Sequence, residues 1–405
     1  MTEHATTQNV LPDPPAKKRL VSLDALRGFD LFLLFGLCPI FQASRELLNR
    51  FFPNKERWDS LADFVCRHSE WEGFTLYDLI MPLFMFMSGV TICYSMAKYK
   101  KSESNPNPSR ARFWCRLVRR VLLLWIFGMI AQGNLLDFRW EGLRLYSNTL
   151  QAIAAGYVIA VACYLLFNKW GTLAAAFLLM LAYWLAMTFS GKGFEPGTNL
   201  AEVIDRAVLG RWMDGVSFQS DGTWSFSEEY HYTWILSTLT FGATAISGLL
   251  GGQFIRWRTE TGKSGHLTAL FLVAIGVLCA VTGWFWGKVP QGVFGYCPLI
   301  KHLWTPSMVL YASGISYILL GIFHEVYDVL RFPLFKTFLL VIGMNSIVTY
   351  MLPYFVDFQA IAGKFLGGLE HHIGVWYAPL LALTGFGLTW WFLWLLYKNK
   401  TFLRL

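Results

Sequence analysis

Long apolar stretches are the feature of this sequence that most limits its fold. About ten stretches hold roughly 20 mostly apolar residues each, the length at which a helix crosses the hydrocarbon core of a bilayer. Glycines, prolines and charge clusters separate them. The stretches are residues 22–42, 73–97, 116–131, 149–167, 172–189, 232–255, 267–286, 303–323, 334–354 and 376–397. The pattern predicts an all-α integral membrane protein, a polytopic bundle of about ten transmembrane helices.

The predicted domain plan has one large unit. A cytoplasmic tail over residues 1–21 precedes a single transmembrane domain over 22–398, and a second tail covers 399–405. An amphipathic or re-entrant helix within 41–64 would raise the number of bundle helices from ten to eleven. No internal repeat is visible in the sequence.

The composition excludes most other classes of protein. Hydrophobic residues make up 55% and charged residues 15% of the chain, whereas a soluble domain carries about 25% charge. A disordered tail, a coiled coil and a secreted disulfide scaffold are therefore excluded. Seven cysteines are scattered without a CxxC pair, so we predict neither a disulfide framework nor a metal site.

The distribution of charge predicts the orientation. The net charge of +8 is concentrated most strongly in residues 98–120, between two apolar stretches. Positive charge in that position is typical of a cytoplasmic loop, and it argues for the lipid bilayer and against nucleic acid as a partner. Both termini are then predicted to be cytoplasmic, and the long segments 43–72, 190–231 and 355–375 lie on the far side, where function often resides.

The far-side segment 67–75 offers a candidate base. His68 stands near Glu70 and Trp71 at a predicted membrane boundary, and histidine is the usual base near neutral pH. Asp78 follows inside an apolar run, where an acid indicates a functional site. Because Pro82 comes four residues later, we predict a helix bend at Asp78. The alternatives are an interfacial His–Trp belt and a structural partner role for Asp78.

The cytoplasmic end of the first stretch offers a candidate anion site. Asp24 and Arg27 share a helix face, and Arg27 with the helix N-terminus would suit a phosphate. A plain intrahelical ion pair is an equal alternative. Asp30 adds a second intramembrane acid, while polar residues such as Gln151 and Asn345 commonly join helices by hydrogen bonds. The pair His371–His372 beside Glu370 lacks the spacing of a metal site.

Several motifs resemble those of the heparan-alpha-glucosaminide N-acetyltransferase family and its bacterial relatives among the transmembrane acyltransferases. The most specific is an H-x-x-W-x-G block followed by D-L-x-x-P-x-F, which covers residues 68–73 and 78–84. Weaker similarity lies in the first-helix signature at 19–28, an L-Q element at 148–151, an L-W-T element at 303–307 and a G-M-N element at 343–346. The sequence departs from the family's pattern at Cys38, at Ala152 and at 230–234.

The resemblance implies an enzyme that moves an acetyl group from cytosolic acetyl-CoA, as co-substrate, to an amino sugar or other envelope glycan across the membrane. His68 matches the family's active-site histidine and would act as general base, or as the carrier of an acetyl-histidine intermediate. We predict a bacterial inner-membrane location and a possible homodimer. The predicted site has three groups of residues: His68 and Asp78 as catalytic, Asp24, Arg27, Gln151 and Asn345 as CoA-binding, and Glu70, Trp71 and Trp304 as acceptor-binding.

Two other functions stay open from the residues alone. A transporter or flippase of a sugar-linked lipid could use Asp24, Asp30 and Asp78 as proton or ion sites. A catalytically inactive envelope scaffold is the third reading. Inverted repeats would favour the transporter.

Overall fold

The protein is almost entirely helical. A computed structural model describes residues 20–51, 55–99, 109–219 and 221–403. The α-helices are α1 Val21–Phe32, α2 Cys38–Ala43, α3 Arg45–Phe51, α4 Lys55–Cys66, α5 Ile80–Ser95, α6 Arg110–Ala131, α7 Thr149–Leu166, α8 Lys169–Phe189, α9 Leu200–Leu209, α10 Thr238–Glu260, α11 Gly265–Gly287, α12 Pro306–Phe323, α13 Lys336–Gly343, α14 Ser346–Met351, α15 Phe358–Leu366, α16 Glu370–Ile373 and α17 Tyr377–Lys398. Two short antiparallel strands, β1 Val216–Phe218 and β2 Trp224–Phe226, form a hairpin.

Among the described residues, seven helices are long and apolar enough to cross a membrane. They correspond to seven of the ten predicted stretches, so the all-α membrane class is confirmed. The stretch 334–354 is instead broken into α13 and α14, which meet at an angle of 72°. The stretches 22–42 and 116–131 are helical but are not among the seven. The number of crossings and the side of the termini stay predictions.

The stretches 22–42 and 116–131, which are not among the seven, have clear physical features. α1 continues into α2 through a π-helical turn at Leu33–Leu37, and it carries Asp24, Arg27 and Asp30. α6 begins at Arg110, six residues before the predicted stretch, because Ser109 caps it by accepting a bond from the Arg112 N–H. The additional helix predicted within 41–64 consists of α3 and α4.

The helices form an inner group and an outer group. Within the apolar windows, 72% of the α5 span, 67% of the α10 span and 61% of the α7 and α12 spans are buried, against 28% for α8 and α11. The 358–398 window is 17% buried. The inner helices therefore make the core, whereas α8, α11 and α17 expose apolar side chains to the surrounding lipid.

Glycines allow the backbones of α5 and α10 to touch. A Cβ atom on Gly248 would lie 1.8 Å from the carbonyl oxygen of Phe86, and one on Gly89 would lie 1.9 Å from that of Ala245. Small residues at helix contacts are a typical means of close packing in membranes. This contact fixes α5, and with it the residues that precede α5 at the candidate site.

The bundle has two ends of different character. At the first, here called the basic end, Arg256 Nη1 donates to the Cys93 carbonyl at 2.7 Å, and Arg27 and Arg120 lie close by along one cavity. At the opposite end, here called the loop end, the segments 67–76, 227–237 and 288–305 meet. The candidate site lies at the loop end.

We expect Gly248→Ala to destabilise the protein by about 1–3 kcal/mol, because the new methyl group overpacks the α5–α10 contact. The measurement is the midpoint of thermal unfolding in detergent. Gly387→Ala is the matched control, since no atom lies within 4 Å of a Cβ placed there, and alanine favours a helix by about 1 kcal/mol over glycine. Equal midpoints for the two variants would contradict the close contact.

Candidate functional site

Two loop-end segments are joined by backbone hydrogen bonds. The Gly73 N–H donates to the Leu299 carbonyl at 2.9 Å, and Glu72 pairs with Ile300 as an antiparallel bridge. Gly73 has a φ of +122°, a conformation that side-chain-bearing residues rarely adopt. This pairing sets the 67–76 segment against the segment that carries Lys301.

The pairing brings His68, Asp78 and Lys301 into one cluster. His68 Nδ1 lies 2.8 Å from Asp78 Oδ1, and Lys301 Nζ lies 2.8 Å from His68 Nδ1 and 3.4 Å from Nε2. Lys301 Nζ is also 3.4 Å from Asp78 Oδ1, with both side chains buried. A base, an anion and a cation are thus in direct contact at the loop end.

Asp78 organises the turn that holds His68. Its Oδ2 accepts hydrogen bonds from the Ser69 N–H at 3.1 Å, the Thr75 N–H at 3.0 Å and the Thr75 hydroxyl at 3.1 Å. The bend predicted at Asp78 is wrong, because the helical segment begins there with a 3-10 turn at Tyr77–Leu79. Pro82 therefore lies in the first turn of α5, where proline is tolerated.

The environment keeps the His68 imidazole uncharged near neutral pH. Partial burial lowers the pKa of His68 below 6.5, and Lys301 acts in the same direction against the opposing effect of Asp78. Burial also lowers the pKa of Lys301 to about 8, although Asp78 favours its charge. The neighbouring His302 has a pKa lowered to about 4 by burial and by Lys301. The His68 side chain remains 39% exposed, so a ligand can reach it.

His68 and Lys301 open onto a cavity of about 540 Å³ at the loop end. Its wall is rich in aromatic side chains with polar tips, which suits a ligand that has both apolar faces and hydroxyl groups. These aromatic lining residues are Tyr77, Tyr230, Tyr232, Trp234, Tyr350 and Tyr354.

Residues 230–234, where the sequence departs from the family pattern, form part of this wall. Asp205 of α9 accepts from the Trp234 and Ile235 N–H groups at 2.6 and 2.9 Å. The Thr233 N–H donates to the His302 carbonyl at 3.1 Å. The segment is thus held between α9 and the Lys301 segment, and it presents aromatic rings to the cavity.

A second cavity of about 580 Å³ extends toward the basic end. Arg27 and Arg120 line it. Phe84, Thr149 and Tyr350 line both cavities, so the two lie on either side of these residues. One cavity reaches the arginines and the other reaches His68.

The predicted CoA-binding residues differ in their placement. Arg27 lines the basic-end cavity and pairs with Asp24 at 3.4 Å, as the i,i+3 spacing predicts. Gln151 is fully buried, and its amide is used by backbone partners: its oxygen accepts from the Ser147 and Asn148 N–H groups at 2.8 and 3.0 Å, and its nitrogen donates to the Leu145 carbonyl at 2.7 Å. It serves the N-terminal capping box of α7.

Asn345 also has a structural placement, at the break between α13 and α14. Its side chain donates to the Thr401 carbonyl at 3.2 Å and accepts from the Leu403 N–H at 3.3 Å. It thereby fixes the C-terminal segment beside the basic-end cavity, which Leu403 lines. A direct contact of Gln151 or Asn345 with CoA stays a prediction that these bonds do not support.

The predicted acceptor-binding residues are also separated. Trp71 stacks on the His302 ring at 5.4 Å and meets His231 edge-on, while Glu70 is exposed at the loop end. Trp304 is 2% exposed and donates to the Thr244 hydroxyl at 3.0 Å, inside the core. Neither tryptophan is among the residues that line the loop-end cavity, so a direct acceptor contact of Trp71 or Trp304 stays a prediction.

Sequence reasoning missed the role of Lys301. Lys301 lies 233 positions after His68 in the chain, so no local pattern indicated a contact between them. The aromatic residues of the cavity were missed for the same reason. Among the described residues, no three His, Cys, Asp or Glu side chains are grouped to hold a metal ion, so Glu370, His371 and His372 gain no further ligand there.

Comparison with known proteins gives two significant relatives. The chain is 25% identical over 341 residues to mouse heparan-alpha-glucosaminide N-acetyltransferase and 23% identical over 338 residues to the human protein. Each match covers 70% of this chain and 48% of the relative, so the chain spans about half the length of the curated relatives it matches. No protein-family model matches the chain. The chain is a distant relative of this N-acetyltransferase family.

We expect Asp78→Asn to lower stability by about 3–5 kcal/mol, because it removes the anion that pairs with a buried lysine and leaves that cation uncompensated. The thermal unfolding midpoint in detergent is the measurement. Glu70→Gln removes an equal charge from an exposed position three residues away from the Gly73 pairing, and it should leave the midpoint unchanged. An unchanged midpoint for Asp78→Asn would show that the carboxylate does not hold the cluster together.

Proposed function

We propose that this chain is a membrane acetyltransferase that takes acetyl from acetyl-CoA at the basic end and delivers it to an amino sugar or other envelope glycan at the loop end. The observation that carries this proposal is a pair of cavities, one toward each end of the bundle, that share Phe84, Thr149 and Tyr350 as wall residues. A transfer across a membrane needs a path between two such cavities, because donor and acceptor approach from opposite sides. The relationship to the N-acetyltransferases supports the same reaction class.

The basic-end cavity suits the anionic part of CoA. Arg27 and Arg120 present guanidinium groups, which match phosphate geometry well. The Arg120 guanidinium lies over the Tyr157 ring, with Cζ 4.1 Å from the ring centroid, and this contact orients it in the cavity wall. The narrow pantetheine arm would then extend past Tyr350 toward His68. In the predicted orientation, this end faces the cytoplasm and the protein lies in a bacterial inner membrane.

The loop-end cavity suits a sugar. Tyrosine rings offer apolar faces to the C–H groups of a pyranose and hydroxyls to its polar groups. Trp71 stands behind this wall, because it stacks on His302, which in turn packs against the wall residue Tyr232. An acceptor amine held here would lie beside the free nitrogen of His68.

The chemistry follows from the His68–Asp78 contact. With the Nδ1 proton donated to Asp78, Nε2 keeps a lone pair and can take a proton from the acceptor amine or hydroxyl. The acceptor atom bonds to the acetyl carbon, the carbon–sulfur bond breaks, and the CoA sulfur leaves with the proton from Nε2. An acetyl-histidine intermediate is the alternative route, in which Nε2 itself first bonds the acetyl carbon.

A transporter of a sugar-linked lipid is the second candidate, and Asp30 is the observation that favours it. Both carboxylate oxygens of Asp30 are buried without a hydrogen-bond partner among the described residues, as expected of a protonatable site. Asp24 and Asp78 are instead held by cations. Acetyl transfer by purified protein in detergent, where no gradient exists, separates the two functions.

We expect His68→Ala to reduce acetyl transfer by about 10²–10⁴-fold, because the general base is lost. The dissociation constant of acetyl-CoA should stay within a few-fold of wild type, since the phosphates bind at the other end. Transfer from radiolabelled acetyl-CoA to candidate glycans is the measurement. His371→Ala, at an exposed position, is the control.

Turnover of His68→Ala at the wild-type rate would refute the site. Radiolabel trapped on the wild-type protein without acceptor would favour the acetyl-histidine route.

We expect Arg27→Ala to weaken CoA binding while the protein stays folded, because one phosphate contact is lost. Binding of CoA is measured directly, with Arg110→Ala as the control, since Arg110 is exposed at the start of α6. A membrane-impermeant CoA analogue should label inside-out vesicles and leave right-side-out vesicles unlabelled. Labelling from the loop-end side would contradict the proposed donor path.

A further inference from the structure

The His68 ring has two charged neighbours, and they cannot share one nitrogen in the ring plane. Nδ1 has a single in-plane position, which holds either a proton to donate or a lone pair to accept. Asp78 Oδ1 and Lys301 Nζ each lie 2.8 Å from this atom. A carboxylate needs the proton there, whereas an ammonium in the plane would need the lone pair. One of the two groups must therefore approach from another direction.

The distances identify Lys301 as the group outside the plane. The in-plane position on Nδ1 points away from Nε2, so a donor there would be far from Nε2. Lys301 Nζ is 3.4 Å from Nε2 and 2.8 Å from Nδ1. A position in the plane at nearly equal distance from both nitrogens would collide with the carbon between them. Nζ therefore lies over the face of the imidazole, and Nδ1 is left to donate to Asp78.

We propose that Lys301 is a positioning residue, whose ammonium over the His68 ring keeps the imidazole uncharged and in the tautomer with a free Nε2. This inference rests on the proposed function, in which Nε2 is the base. The ammonium repels a second positive charge on the ring, and its contact with Asp78 at 3.4 Å holds the carboxylate on the Nδ1 side. Neither effect requires Lys301 to touch the substrate.

The burial of Lys301 indicates that its positive charge has a function. Its side chain is 4% exposed in a segment that lies between two apolar helices. A buried cation is expensive to desolvate, and replacing a whole buried ion pair by well-packed apolar side chains is often neutral or stabilising. Apolar residues at both positions 78 and 301 would avoid that penalty. The ion pair that Lys301 makes with Asp78 thus supplies something that packing alone does not.

The other ionisable groups around His68 are uncharged near neutral pH. Lys301 and Asp78 are therefore the charges that act on its ring. His302, from the Lys301 segment, is uncharged because its pKa is lowered to about 4. Tyr77 from the start of α5, Tyr232 from the segment before α10 and Tyr354 after α14 line the same cavity, and phenols stay neutral below about pH 10. Replacing Lys301 therefore changes the main positive charge beside the ring.

The first test reads the ionisation of His68 without any substrate. Diethyl pyrocarbonate acylates uncharged imidazole, so the pH dependence of its reaction at His68, followed by peptide mass spectrometry, reports the pKa of that ring. We expect Lys301→Met to move this titration upward by about 1–3 pH units, because a like charge within 4–6 Å is lost. Lys301→Arg should keep it near wild type. Lys288→Met, on the exposed rim of the same segment, is the matched control.

The second test reads activity. In the Lys301→Met variant, the acid limb of the kcat/KM profile should move upward by the same interval, with partial recovery of rate at higher pH. The proposal would be overturned if the rate fell at every pH while neither the acylation titration of His68 nor the kcat/KM profile moved along the pH axis. Lys301 would then be a structural residue. If Lys301→Met does not fold, Lys301→Gln gives the same comparison. If wild type transfers no acetyl group, the proposed function fails, while the acylation titration still decides the effect of Lys301 on His68.

Discussion

The contact between the 67–76 and 288–305 segments is the interaction on which the site depends. One antiparallel backbone bridge, Glu72–Ile300 with the Gly73 N–H bonded to the Leu299 carbonyl, holds together residues more than 200 positions apart in the chain. It places a buried lysine against a buried aspartate, and each charge compensates the other where water is scarce. Without that compensation neither charge would be stable at the end of an apolar bundle, and His68 would have no fixed partner for Nδ1.

The core explains why this contact stays in register. α5 begins two residues after Asp78 and packs closely against α10 at Gly89 and Gly248, where the two backbones approach as closely as glycine allows. A shift of α5 along its axis would carry Asp78 away from Lys301. Site geometry thus depends on core packing. The Ser69 and Thr75 N–H groups, which donate to the Asp78 carboxylate, connect the turn that holds His68 to the start of α5.

The sequence predicts the fold class and part of the site, and the limits have physical causes. Apolar stretches and an H-x-x-W-x-G block are local patterns, so the helices and the residues His68 and Asp78 could be found. Lys301 could not, because its role comes from a long-range backbone pairing. The bend at Asp78 was wrong because a proline has the same local signature in the first turn of a helix as in its middle. Gln151 and Asn345 lie in recognisable elements, yet their amides serve backbone groups.

Cations near the two cavities act in opposite ways in the proposed function because their surroundings differ. Arg27, which pairs with Asp24, and Arg120 line the basic-end cavity, where an anion would enter. Lys301 is buried beside Asp78, so at a distance the two charges largely cancel and the pair attracts no phosphate into the loop-end cavity. The two charges do not cancel at the short distance of the His68 ring, which lies under Nζ, so the ring experiences the positive charge of the ammonium strongly. In the proposed function, the same kind of charge thus recruits an anionic donor at one end and keeps a base unprotonated at the other.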